Sequence, residues 1–138
     1  MNDSLKTALV LVGRVLLALI FVTSGYGKLA GIEGTAGYIA SAGLPWPSAL
    51  AAAAGLFELV AGLALVIGFK ARWAAFALGA FTLLASLLFH AYWAAPADQQ
   101  FVQQLMFMKN LAVIGGLLAV VAAGAGALSL DGRRSAQA

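Results

Sequence analysis

Four runs of about twenty predominantly apolar residues, over about 8–29, 48–69, 73–93 and 105–128, leave this chain few ways to fold. At about 1.5 Å of rise per residue, each can cross the ~30 Å hydrocarbon core of a bilayer as a helix. A helix also satisfies its own backbone hydrogen bonds there, where no water can. With short connections between the runs, the expected fold is all-α: an integral membrane four-helix bundle, up-down-up-down, forming one domain over residues 1–138. Hydrophobic residues make up 63% of the chain and charged residues 9%, against about a quarter charged in soluble domains. The first run also has the outline of a signal peptide, with Lys6 and Arg14 ahead of residues 15–22. No small-x-small cleavage site follows, so the run is read as the first span.

The connections carry their own signals. Residues 31–47 are rich in Gly and Pro, yet Thr35 to Ala42 predicts a short interfacial helix capped by Thr35 and stopped at Gly43, with Trp46 at headgroup depth. The short basic link over 68–72 makes the second and third spans antiparallel neighbours. The tail from Asp131 to Ala138 is polar and expected to fray. Lys6, Arg14, Lys70, Arg72, Arg133 and Arg134 fall on one side of the bundle, and Lys28 and Lys109, offset by Glu33 and Asp98, on the other. The positive-inside rule then puts both termini of a multi-pass membrane protein in the cytoplasm. The net charge of +3 forms no basic patch interleaved with aromatics, so no nucleic-acid partner is expected. Without cysteine the chain has no disulfide, thiolate nucleophile or Cys-ligated cluster.

Charges inside the spans are the chemical signal, because an unpaired charge in hydrocarbon is costly. Glu58 lies mid-span on a face with Ala51, Gly55 and Gly62, where small side chains let another helix approach closely. Arg14, Leu17, Phe21, Ser24 and Lys28 share a face of the first span. Gly79, Leu83, Ser86 and His90 do so in the third, and Lys109, Ala112, Gly116 and Ala119 in the fourth, with Asn110 beside them. If these faces meet, Ser24, Tyr26, Lys28, His90, Lys109 and Asn110 line a polar funnel open to the outer side, with Glu58 at its floor. Arg14 then stands apart as an anchor at the cytoplasmic end.

Two readings of the funnel compete. In the structural one the lysines snorkel and Glu58 pairs with Lys109 as interhelical glue. In the functional one, two lysines and one glutamate beside a neutral His90 leave one excess positive charge, which favours a small anion or a quinone headgroup. Glu58 or His90 would exchange protons with it. One histidine excludes bis-histidine haem within the chain, and no metal site is expected. Gly115-Gly116 and Gly124-x-Gly126 are assigned to helix packing, because no strand precedes them as phosphate loops require.

Gly13-Arg14-x-Leu16-Leu17, Ser24-Gly25-x-Gly27-Lys28-Leu29, Gly43-Leu44-Pro45, Glu58-Leu59-x-x-Gly62-Leu63, Lys109-Asn110-Leu111 and the closing Ser129-Leu130-Asp131 occur in an order and spacing that resemble the DoxX family of small bacterial membrane proteins. The resemblance spans residues 13–131. It implies a four-helix inner-membrane fold, with Arg14, Lys28, Glu58, Lys109 and Asn110 at recurring family positions. It also implies association with quinone-linked oxidoreductases or with complexes handling oxidative stress. The expected function is a membrane subunit of a redox or respiratory-type system, not catalytic alone, binding a quinone or small anion. Its partners would be the lipid bilayer, other membrane or redox proteins, and a second copy of itself. The alternatives are a non-catalytic scaffold or assembly factor and, third, a small-solute transporter.

Overall fold

A computed structural model describes residues 2–135, and no strand occurs among them. Helix α1 (Asp3–Ala30) is followed, after the single residue Gly31, by the short α2 (Ile32–Ser41). Then come α3 (Pro47–Ile67), α4 (Ala71–Phe89), a 3-10 turn over Tyr92–Ala94, α5 (Gln100–Ala123) and α6 (Leu130–Ser135). Among the described residues, four helices are long and apolar enough to cross a membrane, and they contain α1, α3, α4 and α5. Their outer faces expose large apolar side chains such as Leu16, Val60, Phe76, Leu84 and Leu118. In water such faces would be a liability; in a bilayer they meet acyl chains.

The four spans form a ring in chain order, α1 against α3, α3 against α4 and α4 against α5, with α5 closing loosely onto α1. The tightest contact is between α1 and α3. A Cβ built on Gly25 would lie 2.6 Å from the Leu59 nitrogen and 2.7 Å from the Gly55 oxygen, so the two backbones touch. Ala51, Gly55, Glu58 and Gly62 are all buried, with α1 seated on Gly55 and Gly62 and α2 packed near Ala51. Where the ring closes, Gly116 of α5 receives Leu17 of α1.

Several boundaries and helix phases differ from those expected. The short helix begins at Ile32 with Gly31 before it, so Thr35 is not its cap. The third span runs Ala71–Ala94 as expected, with its regular α-helix ending at Phe89 and a 3-10 turn completing it, whereas the fourth stops at Ala123. Gly124 and Gly126, with φ of 86° and 78°, lie in the return turn after α5 and not within a helix, and Gly126 there packs closely on Val10 of α1. In α4 the inward face is Ala71, Ala75, Leu78, Thr82 and Ser86, while Leu83 points outward. In α5 Leu117 is buried and Asn110 and Val113 half-buried, whereas Lys109, Ala112 and Ala119 are exposed. A span that meets lipid on one side and protein on the other is apolar all round, so it offers little contrast from which to read its phase.

The tail was expected to fray, but it folds back as far as it is described, with residues 136–138 lying outside the described part. Helix α4 starts at Lys70 in a left-handed conformation with no capping side chain of its own. Asp131 supplies the cap from α6: its Oδ1 accepts from the Lys70 N–H and its Oδ2 from the Ala71 N–H, both at 2.8 Å. The Asp131 N–H donates to the Gly68 oxygen at 3.0 Å, which closes the loop onto the end of α3. Removing a capping side chain costs typically about 1 kcal/mol. Asp131→Ala should therefore lower stability by about that amount in a detergent-titration unfolding measurement, with Asp131→Asn losing less. Equal stability of the parent and Asp131→Ala would show that α4 starts without the cap.

Candidate functional site

The ionisable groups within the spans separate into two sites at different depths. At the end that holds the start of α1 and all of α6, Arg14 is 2% exposed. Its guanidinium donates to the Ala125 oxygen and, through Nη2, to the oxygens of Val66 at 3.2 Å and Leu128 at 2.9 Å. These carbonyls belong to the last turn of α3 and to the return after α5. Each would otherwise face a low-dielectric interior without a donor. Arg72 repeats the device, its Nη1 donating to the Val121 and Ala122 oxygens at 2.7 and 2.9 Å. Cations at helix C-termini also oppose the negative end of the helix dipole.

In the other half of the bundle the helices diverge around a cavity of about 340 Å³. Ser24 and Lys28 reach it from α1, Glu58 from α3, His90 from the end of α4, and Lys109 and Asn110 from α5. Six of the residues expected in the funnel thus border one space. Tyr26 does not: it sits on the outer side of α1, 67% exposed. Most of the wall is apolar, with Phe21, Phe81, Leu88 and Val113 among the lining residues. Helix α2 roofs it by packing Ala36 and Ile39 near Ala51, with Phe89 against them. Tyr38 stacks on Phe89 at 5.2 Å between centroids.

Ser24 and Lys28 lie one turn apart on α1, so their side chains meet. The Lys28 ammonium donates to Ser24 Oγ at 2.5 Å and lies 2.7 Å from Glu58 Oε2, while Ser24 Oγ donates to Glu58 Oε1 at 3.2 Å. The Glu58 side chain is 7% exposed and that of Lys28 28%. The lysine approaches Oε2 off the direction of an aligned hydrogen bond, so the contact is an ion pair and the oxygen keeps unused acceptor capacity. The pairing of Glu58 with Lys109 does not form. Lys109 is exposed, its Nζ 3.7 Å from Met106 Sδ on its own helix.

On the opposite wall Asn110 Nδ2 donates to Ser86 Oγ at 2.9 Å, Ser86 Oγ to the Thr82 oxygen at 2.6 Å, and Thr82 Oγ1 to the Leu78 oxygen at 2.7 Å. His90 Nδ1 is 2.8 Å from Gln103 Oε1. With the Gln103 amide oriented this way its oxygen accepts from Nδ1–H, and Nε2 is the ring nitrogen not engaged in that contact. Gln103 was missed from the sequence, where it is one of several glutamines in a connecting stretch and nothing marks it. Lys28 and Asn110 therefore bring donors to the cavity border, and Glu58 brings acceptor oxygens beside the His90 ring. No group of three or more His, Asp and Glu side chains placed to hold a metal ion occurs among the described residues.

Comparison with known proteins adds a frame to this geometry. The sequence profile of the DoxX family matches residues 9–91, which include Arg14, Ser24, Lys28, Glu58 and His90. The chain is similar to the inner membrane protein YqjF of Escherichia coli (strain K12), 40% identical over 122 residues that cover 88% of each chain. It is also similar to the inner membrane protein YphA of the same organism, 34% identical over 128 residues covering 93% of this chain and 91% of that one. The ER-derived vesicles protein ERV29 of Saccharomyces cerevisiae is 26% identical over 133 residues, which cover 96% of this chain and 36% of ERV29. No solved structure matches.

Proposed function

The chain belongs to the DoxX family and is a multi-pass inner-membrane protein, and from that premise we propose that its cavity binds a quinone headgroup for a membrane redox system. What supports this reading is one feature: an apolar cavity within the spans carries hydrogen-bonding groups from α1 and α3 on one side and from α4 and α5 on the other. A quinone ring is flat and apolar, with oxygens at opposite ends that accept hydrogen bonds when oxidised and donate them when reduced. Lys28 and Asn110 would serve the accepting oxygens, and Glu58 Oε2 and His90 Nε2 the hydroxyls of the reduced form. Electron carriage would belong to the quinone and to a partner protein.

The small anion fares worse on the same geometry. Glu58 neutralises Lys28, so the excess positive charge rests on exposed Lys109 at the rim and not within the cavity. At about 340 Å³ the space is at the lower end of the ~300–1,000 Å³ typical of small-molecule sites, enough for a ring whose tail lies outside. Leu50, Leu84 and Leu88 border the cavity and are themselves exposed, so a tail leaving between them meets the acyl chains.

The test is quinone content per chain in native-lipid nanodiscs. The parent is expected to hold near-stoichiometric quinone, and Glu58→Gln and Lys28→Met, at matched folding, to fall to the level of empty discs. Bulk-lipid quinone in the parent would overturn the reading. A scaffold role has its own supporting observation, since Ser24, Lys28 and Glu58 tie α1 to α3. In that case Glu58→Gln lowers stability without a ligand to lose, and replacing Lys28 and Glu58 together by apolar residues restores it.

A further inference from the structure

A second concavity, of about 540 Å³, lies at the other end of the bundle, between the start of α4, the return turn after α5 and α6. Lys70, Arg72 and Arg134 border it, with Asp131 as the acidic residue among its lining. Among the described residues, three cations against one carboxylate leave two excess positive charges, and both Asp131 oxygens already accept from backbone N–H groups of α4. The cations are also held in place. Arg72 is fixed by its two bonds to the end of α5, which lays its Nε and Nη2 along the backbone at Gly124. The Arg134 guanidinium lies 5.4 Å from the centre of the Phe69 ring and the Lys70 ammonium 6.0 Å from it, so two like charges share one ring. Among the described residues, cations thus outnumber carboxylates around this cleft, which favours an anion there.

We infer that this cleft binds the phosphate of an anionic phospholipid headgroup. A phosphodiester matches the cluster in charge, and a guanidinium fork matches its oxygens in geometry. The cleft lies at the ends of the spans, and Trp73 on its edge is 74% exposed, as befits an aromatic side chain at headgroup depth. A lipid would lay its acyl chains along the apolar outer face of the bundle, a contact that free phosphate cannot make.

The experiment uses the full chain in a neutral detergent, with dioleoylphosphatidylglycerol, dioleoylphosphatidylcholine and inorganic phosphate as probes. Lipid retention is read by native mass spectrometry and stability by the thermal midpoint. Phosphatidylglycerol should be retained in preference to phosphatidylcholine and should raise the midpoint. Lys70→Gln with Arg134→Gln should weaken retention about 25-fold, roughly fivefold per cation. Lys6→Gln with Arg133→Gln removes the same charge outside the cleft and should change retention clearly less than the cleft pair does. Arg134→Gln alone, confined to α6, should show the roughly fivefold step even where the double variant folds poorly. The inference is overturned by equal retention of the two lipids, by equal losses in the two double variants, or by inorganic phosphate reproducing the whole shift.

Discussion

Arg14→Met is expected to destabilise the bundle by about 3–5 kcal/mol, because it strips donors from three carbonyls at once in a buried site. A charge-assisted hydrogen bond contributes roughly 1.5–3 kcal/mol, and the three share one guanidinium, so their contributions do not simply add. Methionine fills much of the same volume, which leaves the orphaned carbonyls as the main loss. Arg14→Lys should recover only part of the stability: a compact ammonium lacks the planar fork that reaches α3 and the return after α5 together. The measurement is reversible unfolding in mixed micelles with increasing denaturing detergent. A loss below about 1 kcal/mol for the methionine variant would mean that the carbonyls find other donors and that the brace is dispensable.

The second large effect is expected at the crossing of α1 and α3. Gly25→Ala places a methyl group against backbone atoms of Gly55 and Leu59, which cannot rotate away as a side-chain end would. The helices must separate, at a cost of about 1–3 kcal/mol, and Gly25→Leu should cost more. The consequence reaches the cavity, since Ser24 and Lys28 flank this contact and meet Glu58 across it. Quinone retention should therefore fall together with stability. Gly27→Ala is the control. A Cβ there meets nothing within 4 Å, so alanine should be neutral or stabilise the helix by up to about 1 kcal/mol. Equal effects at Gly25 and Gly27 would show that glycine at the crossing serves helix propensity alone and not close approach.

How much of this was legible in the sequence varied with the kind of signal. The four spans were readable because a hydrocarbon solvent demands about twenty apolar residues in a row, and that demand leaves no ambiguity about existence. Small residues around Glu58 also pointed to a close helix neighbour, though not to α1 as its identity. The phases of α4 and α5 were less accessible: Thr82 and Leu83 are adjacent and differ little in what they tell a helix that is apolar all round. That these charges border one space was legible, but their pairing was not. Lys28 and Lys109 each lie near the same depth as a partner for Glu58, and the choice rests on which helix Gly25 brings closest. Arg72 and Asp131 were read as topology signal and frayed tail, because a cap supplied from another helix has no local pattern to find.

The reach of Arg14 along the chain has a bearing on biogenesis. Two of its three acceptors lie 111 and 114 residues downstream, at Ala125 and Leu128. During translation α1 enters the bilayer long before those carbonyls leave the ribosome, so its arginine must wait near the interface, hydrated or held by phosphates. Only when the last span has been inserted and the chain has turned at Gly124 does the guanidinium find its final seat. The segment after α5 thus acts as a latch that can engage only once residues 125–128 have been made, and a nascent chain stopped short of residue 125 would carry four spans with the first lacking two of its three acceptors.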